Sequence, residues 1–236
     1  MQAKTAVLLG ATGLTGNYLL HLLLADDYFA QTRVLVRKPF AFIHPRLEVC
    51  VTDFDDHDNF HRALGKGDTI FCCIGTTMKK VNGDKALYRR IDFDIPVHAA
   101  QWGIDNGFSQ YLVVSAIGAN AKSSNFYLKL KGSMEEAIHA LPYTSLHIFR
   151  PSLLLGSREG KRKGEKLAQS IMPALSFMLA GSLKKYRAIE ASDVAKAMLA
   201  AAKSGKWGIN VYEHAQMKTL QASVKTDTTT IKLTDN

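Results

Sequence analysis

Tyr127 and Lys131 stand one helical turn apart in "SSNFYLKLKGSMEEA", a spacing that puts both side chains on the same helix face. An isolated phenol loses its proton near about pH 10. An ammonium beside it stabilises the phenolate and brings it within reach of acid–base work near neutrality. Upstream, "YLVVSAIGA" ends an apolar run on Ser115, a hydroxyl suited to hydrogen-bonding a substrate oxygen as charge develops. Ser115, Tyr127 and Lys131 are therefore the candidate catalytic residues. Tyr and Lys at this spacing also occur in ordinary helices, where the aromatic packs into the core. The residues around them decide the matter.

The strongest of those neighbours is the segment "AVLLGATGLTGNYLLHLLL". It carries Gly10, Gly13 and Gly16 at a turn from an apolar run into a helical pattern, with Thr12, Leu14 and Thr15 between them. One glycine permits torsions that a side chain forbids, one lets the chain approach a pyrophosphate, and one lets helix and strand pack closely. The helix start then offers unpaired N–H groups to phosphates. A dinucleotide is the ligand this pattern binds, and a nicotinamide cofactor would supply hydride to the proton-handling residues. At the end of the second strand, "RVLVRKP" presents Arg37 and Lys38 where an NAD-binding fold usually carries an acidic residue. Two cations suit a ribose 2′-phosphate, which favours NADP(H) over NAD(H). Solvated side chains at a strand end are the competing explanation.

Asp53 and Phe54 in "CVTDF" follow the third strand; Asp53 either accepts from the adenine amino group or caps its loop. Gly75 and Thr76 in "FCCIGTT" end the fourth strand beside the expected cofactor.

These residues need a scaffold that brings strand ends together. Strands are expected at Thr5 to Leu9, Arg33 to Val36, Leu47 to Val51, Thr69 to Ile74, Tyr111 to Ser115 and Thr144 to Phe149. Helical patterns lie at Leu14 to Leu24, Phe60 to Leu64, Asp94 to Asn106 and Leu128 to Ala140. Apolar runs alternating with helices predict an α/β fold, a doubly wound parallel sheet of the Rossmann kind. One NAD(P)-binding domain is expected over residues 1–216. A small C-terminal substrate lobe is expected mainly over 151–190. It holds a basic loop from Gly160 to Gly164, an apolar "SIMPALSFML" and, after it, a helix opened by Ser192-Asp193. Residues 217–236 read as a polar, flexible tail.

The 236 residues are 47% hydrophobic and 22% charged, proportions of an ordinary globular chain. The net charge of +9 comes from scattered short clusters without aromatic interleaving, so no nucleic-acid partner is expected. Cys50, Cys72 and Cys73 lie in apolar runs and read as free thiols. His57 and His61 have no convincing ligand partners, and no metal is expected. Nothing resembles a signal peptide or an apolar span of roughly 18 residues, so membrane attachment is disfavoured and a cytoplasmic location is expected.

The segments "LLGATGLTG", "VLVRK", "FCCIGTT", "VVSAIGANAKSSNFYLKLKGSMEEAI" and "FRPSLLLG" together resemble the short-chain dehydrogenase/reductase superfamily. The resemblance is to its atypical branch, related to the Tat-interacting, metastasis-suppressor-like oxidoreductases and their bacterial relatives. It covers about residues 3 to 212. It implies a Rossmann fold, NADP(H) binding and a reductase activity, with Ser115, Tyr127 and Lys131 at the superfamily's catalytic positions. One departure stands out: Asp92, in "RRIDFD", lies in the region where orthodox members carry an active-site Asn.

The expected function is an NADP(H)-binding oxidoreductase that reduces a carbonyl in a small molecule. The alternative is a non-catalytic NADP(H)-sensing regulatory or protein-binding module. Faces of the helices at Asp94 to Asn106 and Leu128 to Ala140 offer a route to a homodimer or a protein partner.

Overall fold

The computed structural model of the chain describes residues 3–156 and 186–224. Seven parallel strands build one sheet: β1 (Thr5–Leu9), β2 (Gln31–Val36), β3 (Leu47–Val51), β4 (Thr69–Cys72), β5 (Gln110–Val114), β6 (Ser145–Phe149) and β9 (Gly208–Tyr212). Their spatial order is β3-β2-β1-β4-β5-β6-β9. The chain thus winds outward from β1 in one direction, returns, and winds outward from β4 in the other. That reversal defines a doubly wound sheet and opens a crevice at the carboxyl ends of β1 and β4.

Strand β1 explains why both faces are covered. Ala6 and Leu8 point into one apolar layer, while Val7 and Leu9 point into the other, and all four are fully buried. The first layer is closed by helices α1 (Leu14–Ala25), α6 (Ala191–Lys203) and α7 (His214–Ala222), through Leu19, Leu23, Met198 and Met217. The second is closed by α2 (His57–Leu64), α4 (Ile95–Asp105) and α5 (Phe126–His139), through Phe60, Ala99, Met134 and Ile138. Strands buried on both sides read as apolar runs, as the central β1, β4 and β5 do, whereas the edge strands β3 and β9 are only partly buried.

Side-chain caps set two helix starts earlier than the apolar pattern implies. Asp56 accepts the Asn59 N–H at 2.9 Å, so α2 opens at His57 rather than Phe60. Asn125 accepts the Leu128 N–H at 3.1 Å, so α5 opens at Phe126 and takes Tyr127 into its first turn.

Between β4 and α4 the sequence pattern missed a helix. Asp84 caps α3 (Lys85–Arg89) by accepting from the amides of Ala86 and Leu87 at 2.8 and 3.0 Å. The helix then widens into a π turn over Arg90–Asp94 before continuing as α4. Pro96 accounts for the widening. It has no N–H to offer the carbonyl four residues back, that of Asp92, and its ring crowds that carbonyl.

Three further expectations are corrected. Strand β9 was not anticipated, although Ile209, Asn210 and Val211 pair in register with Leu146, His147 and Ile148. The cap of α6 is Glu190 rather than Ser192-Asp193: strand β8 (Ile189–Glu190) runs straight into the helix, and Asp193 sits in its first turn. Met217 does not begin a flexible tail, because it lies fully buried on α7. Residues 225–236 and most of the anticipated substrate lobe, including the Gly160 to Gly164 loop and "SIMPALSFML", lie outside the described residues.

Candidate active site

The crevice at the β1–β4 divide begins with the glycine turn. Gly10 has φ +85°, and a Cβ there would lie 2.7 Å from the carbonyl carbon and oxygen of Cys73. A Cβ on Gly16 would lie 2.1 Å from the Gly10 carbonyl oxygen, so that residue sets how closely α1 packs on the turn. Gly13 is the N-cap of α1 and brings no side chain to satisfy the first-turn amides. Thr15 Oγ1, also in that turn, is buried without a hydrogen-bond partner. A backbone that leaves room for no side chain, an uncapped helix start and an orphaned hydroxyl together fit a phosphate-bearing ligand.

From this turn the cleft extends both ways. One half, about 620 Å³, is lined by Gly10, Thr12, Gly13 and Gly75, and on its far side by Arg37, Asp53 and Phe54. Asp53 also caps its own loop, accepting the Asp55 N–H at 2.9 Å. Lys38, paired with Arg37 in the sequence reading, is exposed and does not line the cleft. Gly16 is likewise absent from the lining, since it lies behind the turn. Arg90, which sequence reasoning missed, lines this half and pairs with Asp55 at 2.7 Å.

The other half, about 210 Å³, brings together Leu14, Thr15, Gly75 and Thr76 with Ser115, Tyr127 and Lys131. The candidate catalytic residues thus share a cleft with the glycine turn, and each has a specific electrostatic setting. Lys131 Nζ is 3.0 Å from Asp92 Oδ1, and both side chains are almost completely buried. Asp92 Oδ2 accepts the Thr76 N–H at 2.8 Å, which ties the pair to the end of β4. The π turn is what aims Asp92 inward at this point. Ser115 donates its hydroxyl proton to Glu135, whose carboxylate also receives Arg150 Nε at 3.0 and 3.1 Å and Nη2 of the same guanidinium. Arg150 is therefore a partner of Glu135.

These pairings reverse one expectation. The Tyr127 phenol, although 38% exposed, is pushed above its usual range mainly by desolvation, against the pull of Lys131 and with a smaller push from Asp92. The ammonium does not prevail because the desolvation of the phenol outweighs it, and Asp92 offsets part of its pull. No helix among the described residues is long and apolar enough to cross a membrane.

A doubly wound sheet with a glycine cradle and a two-ended cleft at its switch point is an NAD(P)-binding architecture. A family of NAD(P)H-binding proteins matches residues 10–204, and the chain belongs to it. Protein HTATIP2 of Rattus norvegicus is 33% identical over 178 residues, covering 74% of this chain and 73% of its own. Protein FMP52, mitochondrial, of Debaryomyces hansenii is 32% identical over 195 residues, covering 81% of this chain and 84% of its own. These relatives bear out the resemblance to the Tat-interacting, atypical short-chain dehydrogenase branch. Among solved structures, an ADP-L-glycero-D-manno-heptose-6-epimerase of Helicobacter pylori superposes with TM-score 0.67 at 15% identity, over 93% of this chain and 80% of its own. That likeness, and a TM-score of 0.66 to MoeE5 in complex with UDP-glucose and NAD at 15% identity, concern the fold alone. MoeE5 is matched over 92% of this chain and 81% of its own. One expectation fails here: several matched relatives are named mitochondrial, against the cytoplasmic location read from the sequence.

Proposed function

We propose that the chain is an NADP(H)-dependent oxidoreductase that reduces a carbonyl group in a small molecule. The observation that carries this reading is one cleft with a phosphate cradle at one end and Tyr127, Lys131 and Ser115 at the other. The residues suited to hold the cofactor are the Gly10 to Gly16 turn with Thr15 at the pyrophosphate, Asp53 and Phe54 at the adenine end, and Gly75 and Thr76 along its length. When bound, the reduced nicotinamide supplies hydride. Tyr127 is the proton donor to the carbonyl oxygen. Lys131 and Asp92 hold the surroundings of that phenol, and Ser115 lies beside the reacting oxygen. Replacing Tyr127 with Phe is expected to lower turnover about 100-fold or more while leaving NADPH affinity within about twofold. Steady-state NADPH oxidation on aldehydes, ketones and quinones checks this. Equal consumption by both proteins across the panel would sink the assignment.

The preference for NADP(H) rests on Arg37, which follows β2 and lines this half of the cleft, β2 itself carrying no carboxylate. A charge-assisted contact to a 2′-phosphate is worth about 1.5–3 kcal/mol, roughly 10- to 100-fold in affinity. Arg37→Ser is therefore expected to weaken NADPH binding by that factor and NADH binding hardly at all, measured by fluorescence titration. A wild type that binds NADH as tightly as NADPH contradicts the preference.

A second reading, a nucleotide-sensing regulatory module, is favoured by the engagement of Lys131 and Ser115 with buried carboxylates. Retained NADPH binding with no Tyr127-dependent turnover on any carbonyl class supports it.

A further inference from the structure

Tyr127 is surrounded by groups from several elements. Lys131 and, one turn further along α5, Glu135 lie on its own helix; Glu135 is taken up by Arg150 and Ser115. The π turn contributes Asp92, and α3 contributes Tyr88, whose ring centroid is 6.4 Å from that of Tyr127. Tyr88 donates its hydroxyl to the Thr76 carbonyl at 3.3 Å, so it stands there as a neutral phenol. Lys80, in the loop after β4, lines the same cleft.

The charge closest to Lys131 is Asp92, at 3.0 Å and shielded from water. A buried ion pair presents little net field to a third group beside it. The Thr76 amide fixes the other carboxylate oxygen, so Asp92 has no freedom to swing away. An ammonium left alone in this position would draw the proton off the phenol. The same ammonium, paired, leaves the proton in place.

We propose that Asp92 is a positioning residue which, by pairing with Lys131, favours the protonated form of Tyr127, the form that serves as proton donor. The inference rests on the reductase reading. In the step served, the carbonyl π bond breaks, carbon receives hydride from the reduced nicotinamide, and oxygen receives the Tyr127 proton. The product is an alcohol, and the phenolate left behind regains its proton from water. The pairing disfavours the phenolate that the forward step leaves behind and that the reverse step, abstraction of an alcohol proton, starts from, so its effect falls on the resting protonation of Tyr127. Electrostatic support comes from the raised Tyr127 phenol: desolvation contributes most, Lys131 pulls the other way, and Asp92 adds a smaller push upward.

The test is a titration of the phenol itself, with isotope-labelled tyrosine observed by NMR at Cζ. The chain has eight tyrosines, and Tyr127→Phe identifies the resonance by its disappearance. In wild type the Tyr127 midpoint is expected above about 10, the value of a free phenol. Asp92→Asn removes the negative charge and keeps the hydrogen-bonding shape. It is expected to lower the midpoint by about one pH unit or more. A midpoint that stays or rises in Asp92→Asn overturns the proposal. So does a wild-type midpoint at or below that of free tyrosine, a reading that needs no folded Asp92 variant. The titration responds to Asp92 whether or not a substrate turns over. Its failure is thus distinct from failure of the reductase reading, which the Tyr127→Phe comparison of NADPH consumption decides.

Discussion

Gly10→Ala is expected to reduce NADPH binding at least about 100-fold and to destabilise the fold by about 3 kcal/mol. Two costs add at this position. The backbone has φ +85°, where a Cβ strains the chain. The new Cβ would also lie 2.7 Å from backbone atoms of Cys73 at the end of β4, which cannot retreat without breaking the β1–β4 pairing. The turn must open, and opening it displaces the start of α1 and the amides there. Gly83→Ala is the control. Its φ is +82°, but nothing lies within 4 Å of the added carbon, so about 1 kcal/mol and unchanged cofactor affinity are expected. Urea unfolding and fluorescence titration read both quantities. A Gly10→Ala protein that binds NADPH normally would remove the glycine turn from the binding site.

Glu135→Ala carries the largest expected stability loss, about 2–4 kcal/mol. Glu135 pairs directly with Arg150, with Glu213 contributing a weaker attraction, and it also accepts a hydrogen bond from the Ser115 hydroxyl. Breaking one side of a buried pair costs about 3–5 kcal/mol because the remaining charge loses its partner. The figure is lowered here because the Arg150 side chain is 27% exposed and water can reach it in part. Glu135→Gln keeps an acceptor for Ser115 and should recover part of the loss. Chemical denaturation of the three proteins tests the order, and a loss below about 1 kcal/mol in Glu135→Ala would mean that the network is dispensable.

The pattern of apolar runs made the first six strands of the main sheet legible: the inner ones are largely buried on both faces, and the edge strand β3 still carries Leu47, Val49 and Val51 in a β-branched, apolar run. The glycine turn was legible for a similar reason: its chemistry is local, within seven consecutive residues. What escaped depended on contacts between distant segments. The spacing of Tyr127 and Lys131 says that they share a face, but not that Asp92 arrives from another helix to take the ammonium. That approach depends on a π turn, and the turn on the missing N–H of Pro96, a sequence signal that could have been used. The same holds for Ser115, whose partner Glu135 lies on a different element. Arg37 and Lys38 illustrate a subtler omission. Adjacent residues leaving a strand point to opposite sides, so only one was ever able to face the cleft. Strand β9 escaped because, as an edge strand, it leaves Ile209 and Val211 half exposed and reads as a weak alternation.

The short parallel ladder of β7 (Leu154–Leu155) and β8 has a consequence for how this architecture tolerates change. Leu154 pairs with Ile189 and Leu155 with Glu190, the Ile189 amide donates to the Leu153 carbonyl at 3.0 Å, and Ser152 bonds to the Arg187 carbonyl. The chain therefore departs and returns through this separate two-stranded ladder, and Ser152 and Leu154 line the cleft half that holds Tyr127. Loop-closure entropy grows only logarithmically, by about 0.6 kcal/mol for each doubling of length. With its ends clamped, the intervening stretch can be lengthened, shortened or exchanged at little thermodynamic cost to the sheet.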